Sequence, residues 1–387
     1  MIDVDRLRGD TPGTRRVAHF NNAGAALMPL PVIDAMNAYL DHEVHRGGYE
    51  TRDAFSDDIE AVYSVVAELI GGRATEISLA DNATRAWDMA FYGLDLGAGD
   101  RIVTTSTEYQ SNLGAYFHVR DRRGVTIDVA PDTDDGDIDL AALDRLAEGA
   151  ALVTMNHIPT SGGIVLPARA VGDIARRHGV PYLLDACQSV GHVPLDVDEI
   201  GCDMLSATSR KYLRGPRGVG FLWVRSGFVE RLHPPFVELE SGVVDARGYR
   251  LHPDRRRFET WEKNYAGAIG MGAAARYALD IGIEAIWERI RALAAFARTE
   301  LGGVDGVTVR DRGATLGGIV TFDVASLDAY TVRDRLRAEG INVSVSTRGS
   351  SPIDMEQRGL DAVVRASVHA YNTEDEITAL VESIRRM

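Results

Sequence analysis

Between about residues 60 and 225 the chain repeats one pattern: a short apolar, β-branched run, then an amphipathic stretch, then another apolar run. "RIVTTS" (101–106), "TIDVAP" (126–131), "ALVTMN" (151–156), "PYLLDA" (181–186), "MLSATS" (204–209) and "VGFLWV" (219–224) have the length and residue types of strands. "DDIEAVYSVVAELIGG" (57–72) has apolar residues at helical spacing and stops on Gly71 and Gly72. "NLGAYFHVRDRRG", "LAALDRLAEG" and "ARAVGDIARRHG" supply helices between strands. Strand, helix, strand in repetition predicts an α/β fold, with a mostly parallel sheet covered by helices on both faces.

Open sheets of this kind bind ligands beyond the carboxyl ends of their strands. Asp185, Thr105 to Asn112, His157 to Gly163 and Thr208 to Lys211 all fall at such ends, so four polar loops converge on one crevice. After a less regular stretch near 230–260, "AIGMGAAARYALDIGIEAIWERIRALAAFARTEL" reads as helix. "GGIVTFDV", "YTVRDRLRAEG", "INVSVS", "VVRASV" and "DEITALVESIRR" then form a smaller α+β unit. The expected division is a large domain over 20–250 and a small one over 251–387, with residues 1–19 packing on the latter.

Charge narrows the partners. A formal net charge of −15 argues against nucleic acid and anionic membranes, both of which need clustered positive charge. The two cysteines, Cys187 and Cys202, make no disulfide framework and fit a reducing compartment. No CxxC or HExxH spacing suggests a metal. The first residues lack the apolar core of a signal peptide, and no segment reaches the ~18 apolar residues of a membrane span. The expectation is a soluble, cytoplasmic enzyme acting on a small molecule.

"LLDACQSV" (183–190) carries an apolar run to the tip of a strand and places Asp185 there. A carboxylate in that position loses water and needs a positive partner. Lys211 follows at the end of the next strand, in "SATSRKYLRGPRGVGFLW" (206–223). Taken singly, Lys211 reads as a surface lysine and Asp185 as a helix N-cap. Together, and flanked by hydroxyls and arginine, they suit pyridoxal phosphate: the lysine bonds the aldehyde and the aspartate pairs with the protonated ring nitrogen. That pairing makes the ring an electron sink for a carbanion at the substrate α-carbon.

With these motifs, and from "HFNNAGAALMP" (19–29) to "RASVHAYNTEDEI" (365–377), the chain resembles the class V family of fold-type-I pyridoxal-phosphate enzymes. That family includes cysteine desulfurases, cysteine C–S lyases and isopenicillin N epimerase-like proteins. The resemblance implies a large, mostly parallel seven-strand-type sheet domain and a smaller α+β C-terminal domain. It gives Gln188 the ring's phenolic oxygen and Tyr109 of "TEYQSN" the ring face, where relatives use histidine. A tyrosine stacks as well but moves protons poorly near neutral pH.

For the phosphate it implies Ala83, through its backbone, and Thr84 of "DNATRAW", with Thr208 and Arg210. Thr160 lies beside the cofactor. Arg365 grips the substrate α-carboxylate, and Asn22, Ala23 and Gly24 border the same pocket through backbone groups. "RRFETWEKN" (256–264) matches the segment that completes the partner's site in family homodimers, although Glu262 stands where the family has a threonine.

The cofactor only activates an amino acid's α-carbon; the protein selects the reaction. The family's desulfurases need a nucleophilic cysteine before the carboxylate arginine, to take sulfur as a persulfide. "INVSVSTRGSSPIDMEQRGLDAVVRAS" (341–367) contains none. The resemblance therefore favours α,β-elimination from a cysteine S-conjugate, sulfoxide or cystine to pyruvate, ammonia and a thiol-type product. Relatives of that kind serve sulfur-containing natural-product pathways. Arg210, Arg348 and Arg358 are candidates to admit a larger anionic conjugate, whereas Arg214 and Arg217 read as structural. The alternatives are amino-acid epimerisation, aminotransfer or decarboxylation-linked deamination.

Overall fold

The computed structural model describes residues 2–387. Seven strands form the large sheet: β1 (Ile77–Ala80), β2 (Arg101–Thr105), β3 (Thr126–Ala130), β4 (Leu152–Asn156), β5 (Tyr182–Asp185), β6 (Met204–Thr208) and β7 (Gly220–Val224). Their order is β1-β7-β6-β5-β4-β2-β3. β3, β2, β4, β5 and β6 run parallel, and β7 runs antiparallel to both β6 and β1. Alternation along β5 explains its apolar run. Leu183 packs into the hydrophobic cluster on one side of the sheet and Leu184 into the cluster on the other, so both strand faces are buried.

Two helices matter most to the crevice. Helix α1 (Ala83–Phe91) is capped by Asn82, whose side chain accepts from Arg85 N–H, and helix α2 (Gln110–Arg123) stops at Gly124 in the left-handed region. Gly220 on β7 lets α1 start close to the sheet: a Cβ there would lie 2.5 Å from the Ala207 carbonyl and 3.0 Å from Ala83 N.

A second sheet is wholly antiparallel, in the order β8-β9-β11-β10, from β8 (Val307–Val309), β9 (Ile319–Val324), β10 (Ser344–Thr347) and β11 (Ala362–Ser367). The N-terminal pair Ala18–His19 runs parallel to Ile341–Asn342. No described helix is long and apolar enough to cross a membrane.

The structure adds two features to the sequence reading. The helix read across 268–301 is two helices, Tyr265–Ile281 and Ile283–Gly302, because Gly282 sits at φ +93° and breaks the ladder. Strand β1 was not expected at all. "ISLA" is short, pairs only along one edge, and carries no alternation that separates it from a loop.

Candidate active site

Register places the site. Asn156 and Asp185 are direct neighbours at the ends of β4 and β5, and Asp185 lies beside Ser206 in the middle of β6. Asp185 is 7% exposed and accepts from Asn112 Nδ2 at 3.0 Å and Cys187 N–H at 2.9 Å. Both donors are neutral, so its charge is left for another group.

Lys211 follows β6 across Ser209 and Arg210 and lines the same cavity as Asp185. Burial lowers its ammonium pKa, and Arg210 and Arg365 add to this, against Cys187 and Asp185. A lysine held toward neutrality is a better nucleophile and base. The turn behind it is fastened by Arg214, at φ +65° in the left-handed region that non-glycine residues avoid. Its Nε donates to the Leu27 carbonyl at 3.0 Å, and its guanidinium lies 4.6 Å over the Tyr371 ring.

Asn82, Ala83 and Thr84, where α1 begins, also line the cavity. The first N–H groups of a helix have no intrahelical acceptor and favour an anion. Thr208 and Arg210 line the cavity beside them. Arg210 donates to the Gly24 carbonyl, and Gln188 Nε2 to the Ala23 carbonyl at 3.2 Å, so the loop over residues 22–24 is tied to two cavity residues. Asn22 is fully buried, its Nδ2 donating to the Ser367 carbonyl at 2.7 Å, so its side chain holds the loop and faces away from ligand chemistry.

Tyr109 precedes α2 and lines the cavity, as does Thr160. Arg365, on β11 of the second sheet, does not line the same space. It reaches it through Thr160, donating from Nη1 to Thr160 Oγ1 at 2.6 Å and to the Thr160 carbonyl at 3.0 Å. Burial lowers the Arg365 pKa to about 10. Its Nε is buried with no hydrogen-bond partner, and so is Gln188 Oε1.

The expectation for Arg348 and Arg358 is corrected. Arg348 pairs with Asp361 at 2.6 Å, and Arg358 with Asp354 at 3.2 Å, so neither is a free cation for a substrate. Both cysteines are poor nucleophiles here. Cys187 lines the cavity and Cys202 is fully buried, and desolvation pushes both thiols well above their ordinary pKa.

Sequence reasoning missed Glu108 and Asn112. Glu108 is fully buried and accepts four hydrogen bonds. Tyr109 N–H (2.7 Å) and Asn112 Nδ2 (3.0 Å) reach Oε1; Thr104 Oγ1 and Tyr116 OH (both 2.9 Å) reach Oε2. Burial first, then the Asp185 charge, raise its carboxyl to about 7. The only available signal was the four-residue spacing of 108, 112 and 116 at a helix start.

The donor set fits a planar cationic ring bearing a phosphate. There is a carboxylate at a strand end held only by neutral hydrogen-bond donors, a helix start whose free N–H groups favour an anion with an arginine beside it, and a lysine of lowered pKa in the same cavity. Gln188 and Arg365 keep polar atoms in reserve.

Comparison with known proteins agrees with that chemistry. The family profile described as Aminotransferase class-V matches residues 18–380. A probable cysteine desulfurase of Pyrococcus abyssi is 30% identical over 98% of each chain. Probable cysteine desulfurase 2 of Mycobacterium leprae is 31% identical over 100% of this chain and 96% of its own length. The apo cysteine desulfurase of Thermococcus onnurineus NA1 superimposes with a TM-score of 0.94 at 28% identity, covering 100% of this chain and 98% of that one. A cystine C–S lyase solved with its product cysteine persulfide shares the fold, with a TM-score of 0.87 at 24% identity over 97% of this chain and 99% of its own.

Proposed function

The chain belongs to the aminotransferase class-V family, whose cofactor is pyridoxal phosphate, and from that premise we propose that it is a lyase cleaving the C–S bond of a cysteine-derived amino acid. One observation carries this choice. No thiol is placed to take sulfur: residues 341–367 hold no cysteine, Cys202 is fully buried, and the half-buried Cys187 thiol is pushed up by desolvation and the Asp185 charge. The segment where relatives are expected to hold their nucleophile is instead docked on the Thr107 loop, with Asp354 N–H donating to the Ser106 carbonyl at 3.0 Å and Ser351 Oγ to the Thr107 carbonyl at 3.4 Å.

When bound, the cofactor supplies an electron sink for the bonds at the substrate α-carbon. Asp185 would hold the ring nitrogen protonated and Gln188 would meet the phenolic oxygen. The start of α1 at Ala83 and Thr84, with Thr208 and Arg210, would hold the phosphate, and Tyr109 would lie against the ring. Arg365 and Thr160 clamp the substrate carboxylate, with the backbone of residues 22–24 beside them. Lys211 Nζ takes the α-proton, and the Cβ–S pair leaves on sulfur, which takes up a proton. One water then completes the balance to pyruvate, ammonium and a thiol.

A homodimer is part of the proposal. The hairpin over residues 242–251 exposes Val243 (51%), Val244 (65%) and Tyr249 (63%), next to the 256–264 segment proposed to complete the partner's site. Light scattering of an active monomer at working concentration contradicts it.

The test is a panel of cysteine S-conjugates in deuterated buffer. Pyruvate and ammonia in step with thiol release are expected. Exchange of the α-proton without any pyruvate replaces the lyase with an epimerase.

A further inference from the structure

Glu108 has no role in the chemistry above, yet it is the most heavily bonded carboxylate near it. It lies at the head of α2 and is fully buried. Asn112 spends one amide proton on Glu108 Oε1 and the other on Asp185 Oδ2, each at 3.0 Å. The same Oε1 accepts Tyr109 N–H at 2.7 Å. One carboxylate therefore ties together the residue over the ring face and the residue at the ring nitrogen.

We propose that Glu108 is a positioning residue for the cofactor: its ionised carboxylate, acting through the Asn112 amide, orients Asp185 and strengthens its hold on the ring nitrogen. This rests on the assignment of Asp185 to that nitrogen under the proposed function. An amide that donates to two carboxylates is fixed in orientation by both, so Asp185 cannot turn away without breaking the bridge. A second negative charge behind Asp185 also raises its affinity for a proton on the ring.

The titratable groups facing Glu108 are Asp185 from β5 and the Tyr116 phenol from α2; Thr104 on β2 contributes a neutral hydroxyl. With its carboxyl at about 7, Glu108 changes charge near neutrality, and losing one donor moves it further toward the neutral form.

Glu108→Gln separates charge from shape. The amide oxygen can face Tyr109 N–H and Asn112, while the amide N–H₂ faces the Thr104 and Tyr116 hydroxyls, which rotate to accept. The probes are pyridoxal phosphate and its 1-deaza analogue, in which C–H replaces the ring nitrogen. Each is titrated into the full-length chain freed of cofactor, with quenching of Trp87 in the cavity wall as the signal. Wild type should prefer the natural cofactor, and Glu108→Gln should reduce that preference by about fivefold or more, the scale of a unit charge acting across one buried amide. Tyr116→Phe removes one donor from Glu108. It should reduce the preference in the same direction at neutral pH and regain it in alkaline buffer, and it decides the matter if the glutamine variant fails to fold. A strong wild-type preference left unchanged by the substitution overturns the proposal. No preference in wild type removes the Asp185 assignment itself, and this proposal with it.

Discussion

Arg365 Nη1 donates to Thr160 Oγ1 at 2.6 Å, joining a strand of the antiparallel sheet to the loop that follows β4 of the parallel one. The bond fixes one edge of a guanidinium whose Nε has no partner of its own. Nη2 donates to Asn21 Oδ1 at 3.3 Å, so both ends of the guanidinium are held and the unspent Nε is the donor left for a carboxylate.

Arg365→Ala should therefore weaken binding of every amino-acid substrate by roughly 2–4 kcal/mol, the scale of a lost charge-assisted bond. Spectral titration of the loaded protein with a slow substrate measures it. Affinity within a factor of two of wild type moves the carboxylate site elsewhere.

Lys211→Ala should abolish both the visible band of the bound cofactor and turnover. Borohydride reduction of the wild type followed by peptide mapping should place the label on Lys211. A labelled peptide from any other lysine contradicts the assignment, since Lys211 is the lysine sharing the cavity with Asp185.

Buried histidines set an acid limit, and His19, His157, His192 and His369 are all lowered by desolvation. Burial lowers His157 to about 4 and His192 to about 3, from 6.5 in the unfolded chain. A depressed pKa means stability present above 6.5 and lost as pH falls, because the unfolded chain takes protons the folded one refuses. Each histidine should cost up to about 1.4 kcal/mol per pH unit over that window. Denaturant unfolding at about pH 7.5 and about pH 5 should show a smaller loss in His157→Gln than in wild type. Equal losses mean that His157 is not buried as a neutral ring.

Much of this molecule is visible in its sequence. The strands from 101 to 224 are apolar runs bounded by turns, and a charged residue ending such a run, as Asp185 does, is conspicuous because burial makes it costly. Glu108 is just as buried, but "TEYQSN" looks like any polar loop, since only the turn from β2 into α2 brings Thr104, Tyr109, Asn112 and Tyr116 onto one carboxylate. Arg348 and Arg358 failed for the opposite reason. Their charge is conspicuous, and the aspartates that neutralise them are found only after the loop folds. The break at Gly282 was hidden because glycine inside an alanine-rich helical pattern is tolerated as often as it ends one.

Cleavage without a protein persulfide is decided by the fate of the carbon skeleton. Wild type and the Cys187→Ser, Cys202→Ser double variant are each given a cysteine S-conjugate, and pyruvate, alanine and protein-bound sulfur are quantified together. Pyruvate matching the released thiol, no sulfur on the protein, and equal turnover in the double variant are the expected result. Alanine as the product, with sulfur on Cys187 or Cys202 and activity lost in the double variant, would show a desulfurase and contradict the elimination.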